Sequence, residues 1–255
     1  MHILITNDDG ISSVGLSSLV QTALSRGHQV TVCAPGRQCS ANSQHITLTK
    51  PLIVDEVPWK GVQAFSVDGT PTDCVRLAPC LVKEPIDYCI SGINNGENAG
   101  SAVYYSGTVA AAREAVMCHI PAMAVSIMQD ADDDMRAHLS CVALRLAEHF
   151  QRIPLPRFTI INLNAPAIPP QYLKPLTICS LSQAYYLDSY ERRQSPRGET
   201  YFWLTANDTS GVPMEPVEPE SDYDFLHRGH MTCTFLSAFS DQNDACRSHL
   251  SPFHF

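Results

Sequence analysis

The alternation of short apolar runs with one-faced helical segments constrains this chain more than any other feature. Ile3-Leu-Ile5 is a compact apolar run closed by turn-forming residues, the pattern of a buried strand. From Val14 to Arg26, the side chains of Leu16, Leu19, Val20, Ala23 and Leu24 recur at helical spacing and share one face. Ser12 or Ser13 caps that helix and Gly27 ends it. Gln29 to Ala34 is a second strand. Strand, helix and strand within about 35 residues make a βαβ unit, with parallel strands and a right-handed crossover. The alternation continues. Thr70 caps a helix that starts at Pro71 and runs to about Val82, and Ile86 to Ile90 is a strand. The Ala-rich stretch Val109 to Cys118 is a good helix former, and Ala122 to Ile127 is a strand. Asp132-Asp-Asp134 opens a helix to about Phe150, its carboxylates matching the positive end of the helix dipole, and Phe158 to Leu163 is a further strand. Segments 45–54 and 62–67 read as a strand pair. The fold class is α/β, a Rossmann-like three-layer sandwich with a mostly parallel sheet.

After residue 164 the pattern changes. Residues 165–222 are rich in Pro, Tyr and Ser, with Thr200 to Thr205 a strand, and Met231 to Leu236 is a late strand. The expected organisation is a Rossmann-like catalytic core over 1–164 and a β-rich excursion over 165–240. The last part, 241–255, is a tail packing on the core or a neighbouring subunit, with a short helix from Asp241 to Leu250. Exposed strand edges and aromatics suit the excursion to oligomerisation.

Composition removes several classes of function. The formal charge is −9 and Lys and Arg form no stripe, which argues against duplex nucleic acid as a partner. No apolar run approaches the roughly 20 residues needed to cross a bilayer, and the N-terminus lacks the pattern of a signal peptide, so the expected location is cytoplasmic with no membrane partner. The ten cysteines include no C-x-x-C pair, and those inside apolar runs, such as Cys33 and Cys89, are expected to be buried and reduced. The first turn carries only Gly10 and Gly15, not G-x-G-x-x-G, which disfavours a dinucleotide oxidoreductase.

Four segments follow strands or lead into a helix at one sheet edge: 6–10, 36–44, 91–100 and 104–108. Open α/β sheets bind ligands at the carboxyl ends of their strands. Asp8 and Asp9 place like charges side by side there, a repulsion that a hard divalent cation offsets. The same edge carries hydroxyls from Ser40, Ser43, Ser106 and Thr108 and amides from Asn7, Asn42, Asn94, Asn95 and Asn98. Such oxygen donors suit Mg²⁺, Mn²⁺ or Ca²⁺ rather than zinc. Ser106-Gly107-Thr108 before a helix is an anion cradle, although alone it would be an ordinary helix cap. Metal donors beside an anion site point to phosphoryl chemistry.

These motifs resemble the SurE family of metal-dependent 5′/3′-nucleotidases. The resemblance rests on Asn7-Asp-Asp-Gly10, Gly69-Thr-Pro-Thr-Asp-Cys74, Ser91-Gly-Ile-Asn94 with Gly96 and Asn98, and Tyr105-Ser-Gly-Thr-Val-Ala-Ala111. It resumes at Asn162-Leu-Asn-Ala-Pro166 and at Pro196-Arg-Gly-Glu-Thr-Tyr201. The resemblance implies one divalent metal per subunit, Mg, Mn or similar, held by Asp8, Asp9, Ser40 and Asn94. It implies that Asn98, Ser106, Gly107 and Thr108 bind the substrate phosphate; as the catalytic residues, Asp8 or Asp9 is expected to position or deprotonate the water. The implied reaction converts nucleoside 5′- or 3′-monophosphates to nucleoside and phosphate, with some activity on polyphosphate. The implied assembly is a homodimer or homotetramer with exchanged C-terminal segments. Asn95 and Glu97 depart from the family pattern, and Glu97 adds a carboxylate near the site. That departure motivates an alternative, a nucleotide-binding or sensing module with weak or no turnover. His227 and His230 read as surface or interface residues.

Overall fold

A computed structural model describes residues 1–59, 61–185, 189–205 and 217–239. Its central sheet is built from β1 (His2–Thr6), β2 (Gln29–Pro35), β3 (Val54–Glu56), β4 (Gln63–Val67), β5 (Tyr88–Asn95), β6 (Ala122–Ile127), β7 (Thr159–Ala165), β8 (Lys174–Ile178) and β11 (His230–Ser237). The strands run across it in the order β3-β4-β2-β1-β5-β6-β7-β11-β8. The six strands from β4 to β7 are mutually parallel. Antiparallel pairs flank them, β3 on β4 and β11 on β7. The chain leaves β1 toward β2 on one side, and β5 takes the other side, so the order reverses between β1 and β5.

Strand side chains alternate between faces, so Ile3 and Ile5 point one way and Leu4 the other. Helices α1 (Val14–Ser25) and α4 (Asp133–Arg152) cover the first face. Leu16, Leu19, Met135 and Leu139 pack there on Ile3, Ile5, Ile90 and Met123. Helices α2 (Pro71–Leu81) and α3 (Gly107–Met117) cover the second, with Val75, Ala78, Val109 and Ala112 on Leu4, Cys89 and Ala124. The result is the expected three-layer α/β sandwich. Ser13 caps α1, Thr70 and Asp73 form a capping box on α2, and Asp132 caps α4. No described helix is long and apolar enough to cross a membrane.

Three features differ from expectation. Strand β5 does not stop at Ile90 but runs on to Asn95. The glycine in Ser91-Gly92-Ile93 is there for close approach: a Cβ on Gly92 would meet the carbonyl oxygen of Val125 in β6 at 2.2 Å. Of the expected strand over 45–54, only Val54 onward pairs with β4. Side chains bond the backbone upstream instead. Thr70 Oγ1 donates to the His45 carbonyl (2.6 Å), and Asp73 accepts from Thr47 N (2.9 Å) and Thr47 Oγ1 (2.7 Å). Finally, Cys33 and Cys89 are buried, but Cys80, Cys118 and Cys141 lie at the surface.

Beyond residue 164, β8 and β11 complete the main sheet, and the short helix α5 (Asp222–His227) packs on β11. Strands β9 (Ser189–Gln194) and β10 (Thr200–Thr205) form a separate antiparallel ribbon. It leaves Tyr190, Tyr201, Phe202, Trp203 and Leu204 exposed. The tail expected over 241–255, with its helix from Asp241 to Leu250, lies outside the described residues.

Candidate active site

The reversal of strand order opens a crevice at the carboxyl ends of β1 and β5, where such sheets bind ligands. Four loops meet there. After β1, the turn Asn7–Gly10 is pinned from inside by Asn7, which is fully buried. The Asn7 Nδ2 group donates to the Gly10 carbonyl (3.1 Å) and to Ser13 Oγ (2.6 Å), and Asn7 Oδ1 accepts from Gly10 N (3.2 Å). Gly10 takes a φ of +98°, open to glycine at little cost. Asn7 therefore shapes the turn, and Asp8 and Asp9 project from it.

Asp8 is the better enclosed of the two. Thr108 donates to its carboxylate from Oγ1 and from its backbone N–H. The first turn of α3 lies against it so closely that a Cβ on Gly107 would come within 2.8 Å of Asp8 Cβ. Asp9 is half-buried and accepts from the backbone N–H of Asn95 (3.2 Å). Cys39 N donates to the Asp8 carbonyl (2.7 Å), drawing the 36–44 loop and with it Ser40 to this edge. Ser43 ties the same loop to the helix entry, donating from N to the Tyr105 carbonyl (3.0 Å) and from Oγ to that of Tyr104 (2.7 Å).

Asn94, near the end of β5, donates from Nδ2 to the Gly96 carbonyl (2.7 Å), which leaves its Oδ1 as the outward acceptor. Ser40 is exposed, and its Oγ accepts from Gln38 Nε2 (2.9 Å). Ser106 caps α3 by accepting from Val109 N (3.0 Å). With Thr108 N–H on Asp8 and Val109 N–H on Ser106, the N–H of Gly107 is the donor left for an anion.

Asn98 is held differently. Its Nδ2 donates to Ser126 Oγ (2.7 Å) and its backbone N–H to Asn164 Oδ1 (2.8 Å). Its carbonyl accepts from Nδ2 of Asn162 (2.8 Å) and of Asn164 (3.2 Å). Asn98 thus sits in a buried polar network that fixes the 96–100 loop. The loop is also held by Asp222, whose Oδ2 accepts from Gly100 N (3.3 Å) and whose Oδ1 accepts from Ser182 N (2.8 Å). Ser126, Asn162, Asn164 and Asp222 escaped the reading of site residues. The signal for two of them was there: Asn162 and Asn164 alternate on one face of an otherwise apolar strand.

The electrostatics are one-sided. Burial raises the pKa of Asp8, opposed by the Thr108 hydroxyl and reinforced by the charge of Asp9. Burial also raises that of Asp9, opposed by Asn95 N–H. Among the described residues, no Lys or Arg forms an ion pair with either carboxylate. The donors at this edge, carboxylates, a hydroxyl and an amide carbonyl, are all hard oxygens, so they fit a divalent cation of the Mg²⁺ or Mn²⁺ kind.

A raised carboxyl pKa means that ionisation costs the folded state stability as pH rises past the unfolded value of 3.8. In chelator, Asp8→Asn is therefore expected to melt a few degrees above the wild type at pH 7, because the Asn oxygen still accepts from Thr108. The advantage should vanish below about pH 3.8, where the unfolded and folded carboxyls are both neutral. A scanning-calorimetry series over pH reads this directly, and a lower melting temperature for Asp8→Asn at pH 7 would contradict it.

Comparison with known proteins gives the family and the fold. The family described as Survival protein SurE matches residues 3–188. The chain is 42% identical to a 5′-nucleotidase SurE of Solidesulfovibrio magneticus, across 92% of this chain and 91% of that one. It is 38% identical to a 5′-nucleotidase SurE of a Synechococcus species, across the whole of both. The crystal structure of the SurE protein from Aquifex aeolicus superposes with a TM-score of 0.81 at 27% identity, covering 99% of each chain. On its sequence match and on its fold, the chain belongs to the SurE family.

Proposed function

We propose that this protein is a divalent-metal-dependent phosphatase that hydrolyses nucleoside 5′- or 3′-monophosphates to nucleoside and phosphate, with short polyphosphate as a further substrate. The observation that carries the reading is the pairing of Asp8 and Asp9, with no cationic partner among the described residues, against the first turn of α3. The relatives' names, 5′-nucleotidase SurE, supply the substrate class. Asp8, Asp9, Ser40 and Asn94 would hold one divalent ion per subunit. When bound, such an ion polarises a phosphoryl oxygen and acidifies a coordinated water.

The chain's own groups do the rest. The Gly107 N–H at the start of α3 receives a phosphate oxygen as charge builds in the transition state. Ser106 and Thr108 keep that turn in place, Ser106 through Val109 N and Thr108 through Asp8. Asn98 would add the amide hydrogen that Ser126 does not take as a further donor to the phosphate. Asp8 is restrained by two groups of Thr108, whereas Asp9 accepts one backbone N–H, so Asp9 has the freer oxygen to orient the water and take its proton.

Asp9→Asn should lower divalent-dependent phosphate release from AMP by at least about 100-fold, with an unchanged far-UV spectrum. Full turnover in that variant would refute the assignment. Glu97, half-buried on the 96–100 loop, supports the other reading, a nucleotide-sensing module. Tight AMP binding by the wild type with no phosphate release under Mg²⁺, Mn²⁺ or Co²⁺ would favour it.

We also infer that the protein acts in the cytoplasm as a homodimer or homotetramer with exchanged C-terminal segments. An isolated two-stranded ribbon with exposed aromatics is marginal in water, and a neighbouring subunit would bury it. Light scattering should give two or four chains per particle, and Phe202→Glu with Trp203→Glu should shift the mass downward. A monomeric wild type would contradict this.

A further inference from the structure

A cavity of about 240 Å³ opens at the edge of the sheet opposite the site. Its walls include Tyr88, Ala122 and Thr159, at the amino ends of β5, β6 and β7, with Val116, Ile120 and Phe150 beside them. An apolar cavity of about 150 Å³ already holds benzene, so this one has room for a substituted ring. Apart from Thr159, the lining is apolar except at two places. One is Tyr88, which is 1% exposed and whose hydroxyl has no hydrogen-bond partner among the described residues. Burial, reinforced by the neighbouring thiols of Cys89 and Cys233, raises its pKa, so it is a neutral phenol available to donate or accept.

The other is the rim, formed by His119, Arg157 and Phe158. The Arg157 guanidinium stacks over the Phe158 ring, 5.0 Å from its centroid. Arg157 Nη2 also lies 3.4 Å from His119 Nδ1. No carboxylate pairs with Arg157 among the described residues. His119 (φ +64°) and Phe158 (φ +63°) both hold left-handed backbone, which is unfavourable for a side-chain-bearing residue and persists where surroundings impose it. An apolar recess with a cation at its mouth that no described carboxylate pairs, and a hydroxyl in its wall without a described partner, has the features of a small-ligand site.

We propose that this cavity binds a small monocarboxylate with an apolar body, of aryl or short alkyl type. The carboxylate pairs with Arg157, the body fills the space beside Phe150, and a polar substituent meets Tyr88. The probe is 4-hydroxybenzoate, followed by ligand-observed NMR on the full chain. A ligand of this size should bind with a Kd on the order of a millimolar. Arg157→Gln, at an exposed position, should weaken binding at least about tenfold. Tyr88→Phe should weaken it about fivefold. Excess inorganic phosphate, which addresses the opposite edge of the sheet, should leave binding unchanged, and 4-hydroxybenzyl alcohol should bind at least about tenfold more weakly than the acid. Absence of binding up to about 20 mM overturns the proposal. So does either variant binding as the wild type does, displacement by phosphate, or equal affinity for the alcohol.

Discussion

Holding Asp8 and Asp9 side by side, largely out of water and with no ion pair to a described Lys or Arg, is the constraint on which the carboxyl edge depends. Like charges in that position repel, and burial disfavours the ionised form of each. The fold counters this with hydrogen bonds instead of an Arg or Lys. Asn7 fixes the turn from below, Thr108 donates to Asp8, and Asn95 N–H donates to Asp9. The arrangement keeps the pair in place and leaves its charge uncompensated. A site that binds a cation and then a phosphate needs that combination, because a built-in Lys would compete for the same oxygens.

The sheet topology delivers these groups to one place. Strand order reverses between β1 and β5, so the loops after those two strands face each other with no crossover between them. Three glycines then let backbone approach backbone or carboxylate. Gly107 brings α3 onto Asp8, Gly92 brings β5 onto β6, and Gly15 brings α1 onto β5, where a Cβ would meet the Ile93 carbonyl oxygen at 2.2 Å. Each contact shortens the distance between an element and the loop it must support. The buried network of Asn98, Ser126, Asn162 and Asn164 does the same for the 96–100 loop, which Asp222 anchors from the far side.

Much of this was legible in the residues. Helix α1 and its cap, the parallel β1–β2 pair and the Thr70 capping box follow from local chemistry: periodicity, a hydroxyl at the cap, a Pro at the first turn. Asp8 and Asp9 stood out because two carboxylates exceed what a turn needs. What was not legible depends on contacts far apart in sequence. Ser91 to Asn95 has the composition of a loop, yet β6 pairs with it and makes it strand. Thr47 and His45 looked like strand, yet Asp73 and Thr70 hold their backbone elsewhere. Asn98 reads as a phosphate-binding residue, and its side chain also holds the loop through a hydrogen bond that only its meeting with Ser126 reveals. Asp222 sits 122 residues from the loop it holds, with no local signal of that partner.

The central claim is that the Asp8–Asp9 turn, Ser40 and Asn94 make one divalent-cation site facing the first turn of α3. Anomalous diffraction from crystals grown with Mn²⁺ and inorganic phosphate tests it most directly. One strong anomalous peak per chain is expected among oxygens of those four residues, with phosphate density at the Gly107 N–H. Manganese bound elsewhere, or phosphate density remote from α3 with no peak at Asp8 and Asp9, would contradict it.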